Sequence, residues 1–222
     1  KFILSSRLDV FMTKKASKGG KMRSGTVEKK GLILKAAEKV FARQGLKGTR
    51  LLEIANEAGL PKANLLYYFQ SKEDIYRAVC RDILETWLGS LGEISSDDNP
   101  KKAIERYIKS KMDLSLKRPN ASKVFALEII AGAPIIGDYL EKDLRDWVDR
   151  QASVLKKWQS RGQMVTISPQ HIFFMIWAVT QTYADFNTQI KAVLGVEEIS
   201  HVEHTIAVET VTEVLLRGFR MT

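Results

Sequence analysis

Trp177, Gln181 and Asp185 stand four residues apart in PQHIFFMIWAVTQTYADF, so a helix over that stretch places all three on one side. The stretch is otherwise apolar nearly all round. A carboxylate and an amide are costly to bury there unless something pairs with them. Two arrangements meet that requirement. In one, Asp185 caps a helix or pairs with a basic residue, and Gln181 bonds across a subunit seam. In the other, the three enclose a small planar ring with alternating N–H and C=O groups. Gln181 then offers a carbonyl and an NH₂ to a lactam edge, Asp185 accepts from a ring N–H, and an indole covers the face. Thr180 and Tyr183 on the same stretch are weaker candidates that could instead face a subunit partner. Trp87 reads either as a core filler or as a further wall of the pocket. Lys111 and Glu128 read as polar neighbours of it or as members of ion pairs.

A second constellation lies in Leu51 to Phe69, LLEIANEAGLPKANLLYYF. It has the order of residue types that two short helices and a tight turn require. Ala55 lets the helices cross closely, Gly59 takes a left-handed backbone at little cost, and Leu65 with Phe69 buries the back of the second helix. Such a helix-turn-helix projects the N-terminal residues of its second helix into the major groove of DNA. Lys62, Ala63, Asn64, Tyr67 and Tyr68 are left over from the apolar back. Asn64 suits an adenine edge and Lys62 a guanine or a phosphate. One tyrosine would touch a phosphate while the other packs. Thr49, Arg50 and Lys72 lie at helix starts, where backbone N–H groups and positive charge suit phosphate. Thr49 is also the expected N-cap of the first helix. The plain alternatives are an ordinary helical hairpin and, for each Lys or Arg, a solvated surface charge.

The elements that must position these groups are all helical. Ser24 or Thr26 caps a helix over about 27–44 with a stripe of Ile33, Ala36, Ala37, Val40 and Phe41, and Gly45 ends it. Ser71, followed by acidic residues, starts a connector helix over about 72–91 on which Ile75, Val79, Ile83, Trp87 and Leu91 repeat. At about 1.5 Å per residue it is long enough to join a DNA-binding head to a second domain. SSDDNP is the clearest linker, with Asn99 capping and Pro100 at the first helical position. Further helices follow from Pro100 to about 117, over 121–131, 137–160, 169–186 and 201–217. No convincing alternating strand pattern or internal repeat appears. The expected fold is all-α: a disordered basic arm or leader (1–25), a three-helix head (26–72) and a helical effector-binding and dimerisation domain (73–222).

The 222 residues carry a formal charge of +9. Residues 1–31 hold nine Lys and Arg against two Asp and Glu, a balance of +7, which suits non-specific attraction to phosphate. The opening KFILSSRLDVF is no credible signal peptide, because Ser, Arg and Asp break its apolar run. No stretch of eighteen apolar residues predicts a membrane span. The single cysteine, Cys80, excludes an internal disulfide framework and fits a reducing compartment. His171, His201 and His204 lack zinc-site spacing, so no metal is expected. No nucleophile–base set, glycine-rich phosphate loop or matched carboxylate pair argues for an enzyme.

Gly45 to Ile75 resembles the N-terminal domain of TetR-family transcriptional regulators. Gly48-Thr49, Ile54-Ala55, Ala58-Gly59, Tyr67-Tyr68-Phe69 and Ser71-Lys72-Glu73 carry the match. Ala131-Gly132-Ala133-Pro134, Pro169 to Phe186, Trp87 in ETWLGSL and Pro119-Asn120-Ala121-Ser122 resemble the uracil-responsive regulators of pyrimidine use within that family. The resemblance implies a cytoplasmic homodimeric repressor that grips double-stranded palindromic operator DNA. It implies a small effector, uracil or thymine, and no other cofactor. Another nucleobase or an amphipathic drug is the alternative effector.

Overall fold

Ile33, Ala37, Val40 and Phe41 are fully buried along one face of α1 (Gly20–Gly48), which spans the top of the head. The computed structural model describes residues 20–91 and 94–221. Residues 1–19, most of the expected arm, lie outside the described residues. Residues 20–25, the end of that expected arm, belong to α1. The expected break at Gly45 is present, with φ 66° and ψ 176° bending the last turn of α1.

The motif follows as α2 (Leu51–Ala58) and α3 (Lys62–Tyr68). Gly59 adopts the left-handed conformation between them, at φ 64°. Ile54, Ala55 and Leu65 are buried against α1. Lys39 and Arg43 of α1 both pair with Glu57 of α2. Thr49 does not cap α2. Its hydroxyl donates to Gly45 O at 2.7 Å inside the kink of α1, and Arg50 takes the cap position, its N–H held by Glu53 at 2.7 Å.

The connector is α4 (Lys72–Leu91), capped by Ser71 Oγ at the Asp74 N–H. It is not a free-standing rod. Ile75, Val79, Ile83 and Leu84 belong to the same apolar cluster as the head, together with Ala121, Val124 and Ile136 of the body. Burial of α4 on both the α1 and the α6 side makes head and connector one packed unit.

The body comprises α5 (Pro100–Lys117), α6 (Pro119–Ile130), α7 (Gly137–Tyr139), α8 (Arg145–Ser160), α9 (Pro169–Asp185), α10 (Asn187–Leu194) and α11 (His201–Gly218). Asn99 caps α5 and Ser200 caps α11. The predicted continuous helix over 137–160 is interrupted by a π-helical turn at Leu140–Leu144, which rotates Leu144 inward. α10 had no separate prediction; Gly195, left-handed at φ 67°, closes it. A second apolar cluster joins α5, α8, α9 and α11 around Ile104, Ile108, Trp158, Phe173 and Ile176. Among the described residues all regular elements are helical, and no helix is long and apolar enough to cross a membrane.

Candidate DNA-reading head and effector cavity

On α3, Leu65 points into the head and the outward face consists of Lys62, Ala63, Leu66 and Tyr67. Asn64 is half-buried at the edge of that face. The two tyrosines divide as expected from a helix turning 100° per residue: Tyr67 is 80 % exposed, while Tyr68 packs on the head with its ring edge-on to Tyr67. Leu66, 47 % exposed, was missed because an apolar residue reads as core. Outward on this helix, it could meet a thymine methyl.

Arg50 is exposed at the start of α2. Thr49 is buried, its hydroxyl already used, so it is withdrawn from the phosphate-contacting set. Lys72 donates to Thr49 O at 2.9 Å across the motif, so its first role is to hold the start of α2. If Asn64 reads a base, Asn64→Ala should cost roughly 1–3 kcal/mol at a single operator position. Competition binding with point-substituted operators measures this, and equal loss on every operator would remove the base-reading role.

In the body, α4, α5, α6 and α9 surround a small cavity of about 60 Å³, several waters' worth of space. Trp87, Trp177 and Gln181 line it together with Tyr107, Lys111, Phe125, Leu84, Leu88 and Leu144. Trp87 meets Phe125 edge-on at 4.8 Å between ring centroids. Trp177 Nε1 donates to the Tyr107 hydroxyl at 2.7 Å, which leaves the phenol proton free to point elsewhere. Burial raises the Tyr107 pKa, so the phenol remains a donor.

Lys111, one of the two expected polar neighbours, lines this cavity. It is 4 % exposed, and its Nζ lies 4.3 Å from the centroid of the Trp87 ring, a cation–π contact. Burial pushes its pKa down to about 8 against the opposing pull of the Asp185 carboxylate. Asp185 lies on an adjoining groove that shares Phe125 and Gln181 with the cavity, and does not line the cavity itself. Burial raises its carboxyl pKa, while a hydrogen bond from Ser122 and the charges of Lys111 and Lys123 hold the rise in check.

The helix explains the placement. Four residues advance an α-helix by about 40° past a full turn, so Gln181 stays beside Trp177 and Asp185 drifts a further step round. Thr180 and Tyr183 rotate the other way and are corrected out of the cavity. Thr180 is fully buried between α5 and α9, donating to Ile176 O while its carbonyl accepts from Ser115. Tyr183 lines a separate groove with Phe186, Ile190 and Ile206. Glu128 does not line the cavity; it accepts from the Ile135 and Ile136 N–H groups and fixes the chain entering α7.

The comparisons agree with this architecture. Residues 33–79 match the family described as bacterial regulatory proteins, tetR family, and residues 80–222 match the C-terminal region of YcdC-like proteins. The HTH-type transcriptional regulator RutR of Escherichia coli is 43 % identical over 210 residues, covering 94 % of this chain and 99 % of that protein. RutR of Shigella flexneri gives the same figures. The ketosteroid transcriptional regulator KstR2 of Mycobacterium tuberculosis shares the fold with a TM-score of 0.68 at 18 % identity, covering 86 % of this chain and 94 % of that one. These relatives are transcriptional regulators. The head built on α1 to α3, the helical body behind it and the near full-length match to RutR place this chain in the TetR family of DNA-binding transcriptional regulators.

Proposed function

We propose that the chain is a cytoplasmic repressor that releases its operator when a small pyrimidine, uracil or thymine, enters the cavity between α4, α5, α6 and α9. The convergence of Lys111, Gln181 and Tyr107 on one small cavity walled by two indoles carries the reading. A pyrimidine imide edge presents acceptor, donor, acceptor in a row. Lys111 and Tyr107 supply donors, and the Gln181 amide supplies an acceptor beside a further donor. Trp87 and Trp177 supply flat apolar faces. The small size of the cavity favours a single ring over an amphipathic drug.

The DNA partner would be a palindromic duplex gripped by a homodimer whose α3 helices sit roughly 34–36 Å apart. Lys62, Ala63, Asn64, Leu66 and Tyr67 would face the groove, with Arg50 on the phosphates. Phe174 and Met175 on α9, and Val202, Ile206 and Val214 on α11, are exposed apolar side chains that suit a second copy.

Uracil at a hundredfold excess over its Kd should stabilise the protein by about 2.7 kcal/mol, seen as a raised melting temperature against a nucleobase panel. Operator affinity should fall in the same titration, and by linkage the operator must weaken uracil by an equal factor. No thermal shift with any pyrimidine, together with unchanged operator binding, would discard the effector. The alternative, a different nucleobase, would show itself as a shift with another member of the panel.

A further inference from the structure

Arg118 sits at the corner between α5 and α6 and holds three groups at once. Its Nη2 donates to Glu38 Oε2 of α1 at 2.6 Å and to Asp82 Oδ2 of α4 at 2.8 Å. Its Nη1 donates to Thr86 Oγ1 of α4 at 3.2 Å. The side chain is 30 % exposed and Glu38 only 13 %, so this pair is partly desolvated and less screened than the other surface ion pairs of the head. Thr86 also donates to Asp82 O, which couples the two α4 contacts.

The neighbours of this clamp connect it to both functional ends. Thr86 precedes Trp87, a wall of the effector cavity, and α6, which starts beside Arg118, carries Phe125, the aromatic partner of Trp87. Glu38 lies on α1, whose buried face supports α2 and α3. A guanidinium fork binds several carboxylates in fixed directions, a geometry that an ammonium does not reproduce.

We propose that Arg118 is the positioning residue that transmits cavity occupancy to the DNA head, by clamping Glu38, Asp82 and Thr86 to the α5–α6 corner. A ligand that shifts Trp87 and Phe125 moves α4 and α6 together, and the clamp carries α1 and the recognition helices with them. Without it, the cavity still binds ligand and the head still binds DNA, but neither senses the other. This rests on the effector reading above for the identity of the ligand and for its place in the cavity.

The test measures operator Kd with and without saturating uracil, and uracil Kd by calorimetry. The wild-type ratio of operator Kd values is expected between about 5-fold and 150-fold. In Arg118→Met it should fall to within about twofold of unity, with ligand-free operator Kd and uracil Kd each changed less than about threefold. Arg118→Lys should recover part of the ratio. Asp82→Asn, at a half-exposed position, should lower the ratio in a protein whose fold does not depend on that contact. An unchanged ratio in Arg118→Met, or in Asp82→Asn where Arg118→Met does not fold, overturns the proposal. So does a loss of ligand-free operator binding in a folded Arg118→Met protein. A ligand-free cycle separates this from the effector assignment: Phe125→Leu should shift operator Kd in wild type and not in Arg118→Met. If uracil has no effect but this cycle shows coupling, the clamp stands and the pyrimidine falls.

Discussion

Lys111→Met is expected to raise the melting temperature of the ligand-free protein by several degrees and to weaken effector binding about 10- to 100-fold. Both effects come from one buried ammonium. Lys111 is almost fully enclosed, and burial lowers its pKa from 10.5 to about 8. The folded state therefore binds this proton less tightly than the unfolded chain does. Keeping the charge costs the fold stability below about pH 8, and that cost is relieved as pH rises through the window from about 8 to 10.5. The shift corresponds to a cost of at most about 3 kcal/mol at neutral pH. Methionine keeps the length and removes the charge, while Trp87 loses its cation–π partner, so the net gain is smaller. Effector affinity falls because a charged donor to a ring carbonyl is lost, a contact worth about 1.5–3 kcal/mol. Melting curves from about pH 7 to 10.5 check the sign: wild-type stability should gain on the variant across the window as its ammonium discharges. A variant that melts lower at neutral pH and binds uracil as before would contradict both parts.

Leu65→Ala should abolish operator binding at micromolar protein while leaving effector affinity within about threefold. Leu65 is fully buried and is the one buried side chain of α3, a helix of seven residues. A helix that short has no stability of its own and depends on packing. Truncating a buried leucine costs about 2–5 kcal/mol, and the charge falls on the element that must enter the groove. Tyr107 and Trp177 of the cavity belong to the second apolar cluster, and its other walls, Leu84, Trp87 and Phe125, share a cluster with Leu65 but stand on α4 and α6 rather than on α3. Fluorescence anisotropy for the operator and calorimetry for uracil separate the two. Retained operator binding would remove α3 as the reading helix.

These two substitutions mark a difference in how the head and the cavity could be read. The head is written in local chemistry. Gly59 must be left-handed for α2 and α3 to cross, Leu65 must be apolar at its turn of the helix, and Ser71 caps the connector that starts beside it. Each of those requirements acts over fewer than about five residues, so spacing alone reveals it. Thr49 was misread for the same reason in reverse. It stands where a cap belongs, but the kink at Gly45 brings a carbonyl within reach of its hydroxyl.

The cavity is different because it belongs to no single stretch. Trp177 and Gln181 could be paired from their spacing, and Trp87 could be suspected from its place on the connector. Lys111 and Tyr107 become cavity groups only when α5 packs beside α9, and Arg118 finds Glu38 across 80 residues of chain. Asp185 left the set because an α-helix does not repeat every four residues. Residue types and short periods determined the all-α plan, the reading helix and the family. The angles at which packed helices meet decided which polar side chains share one small enclosure, and no local pattern encodes those angles.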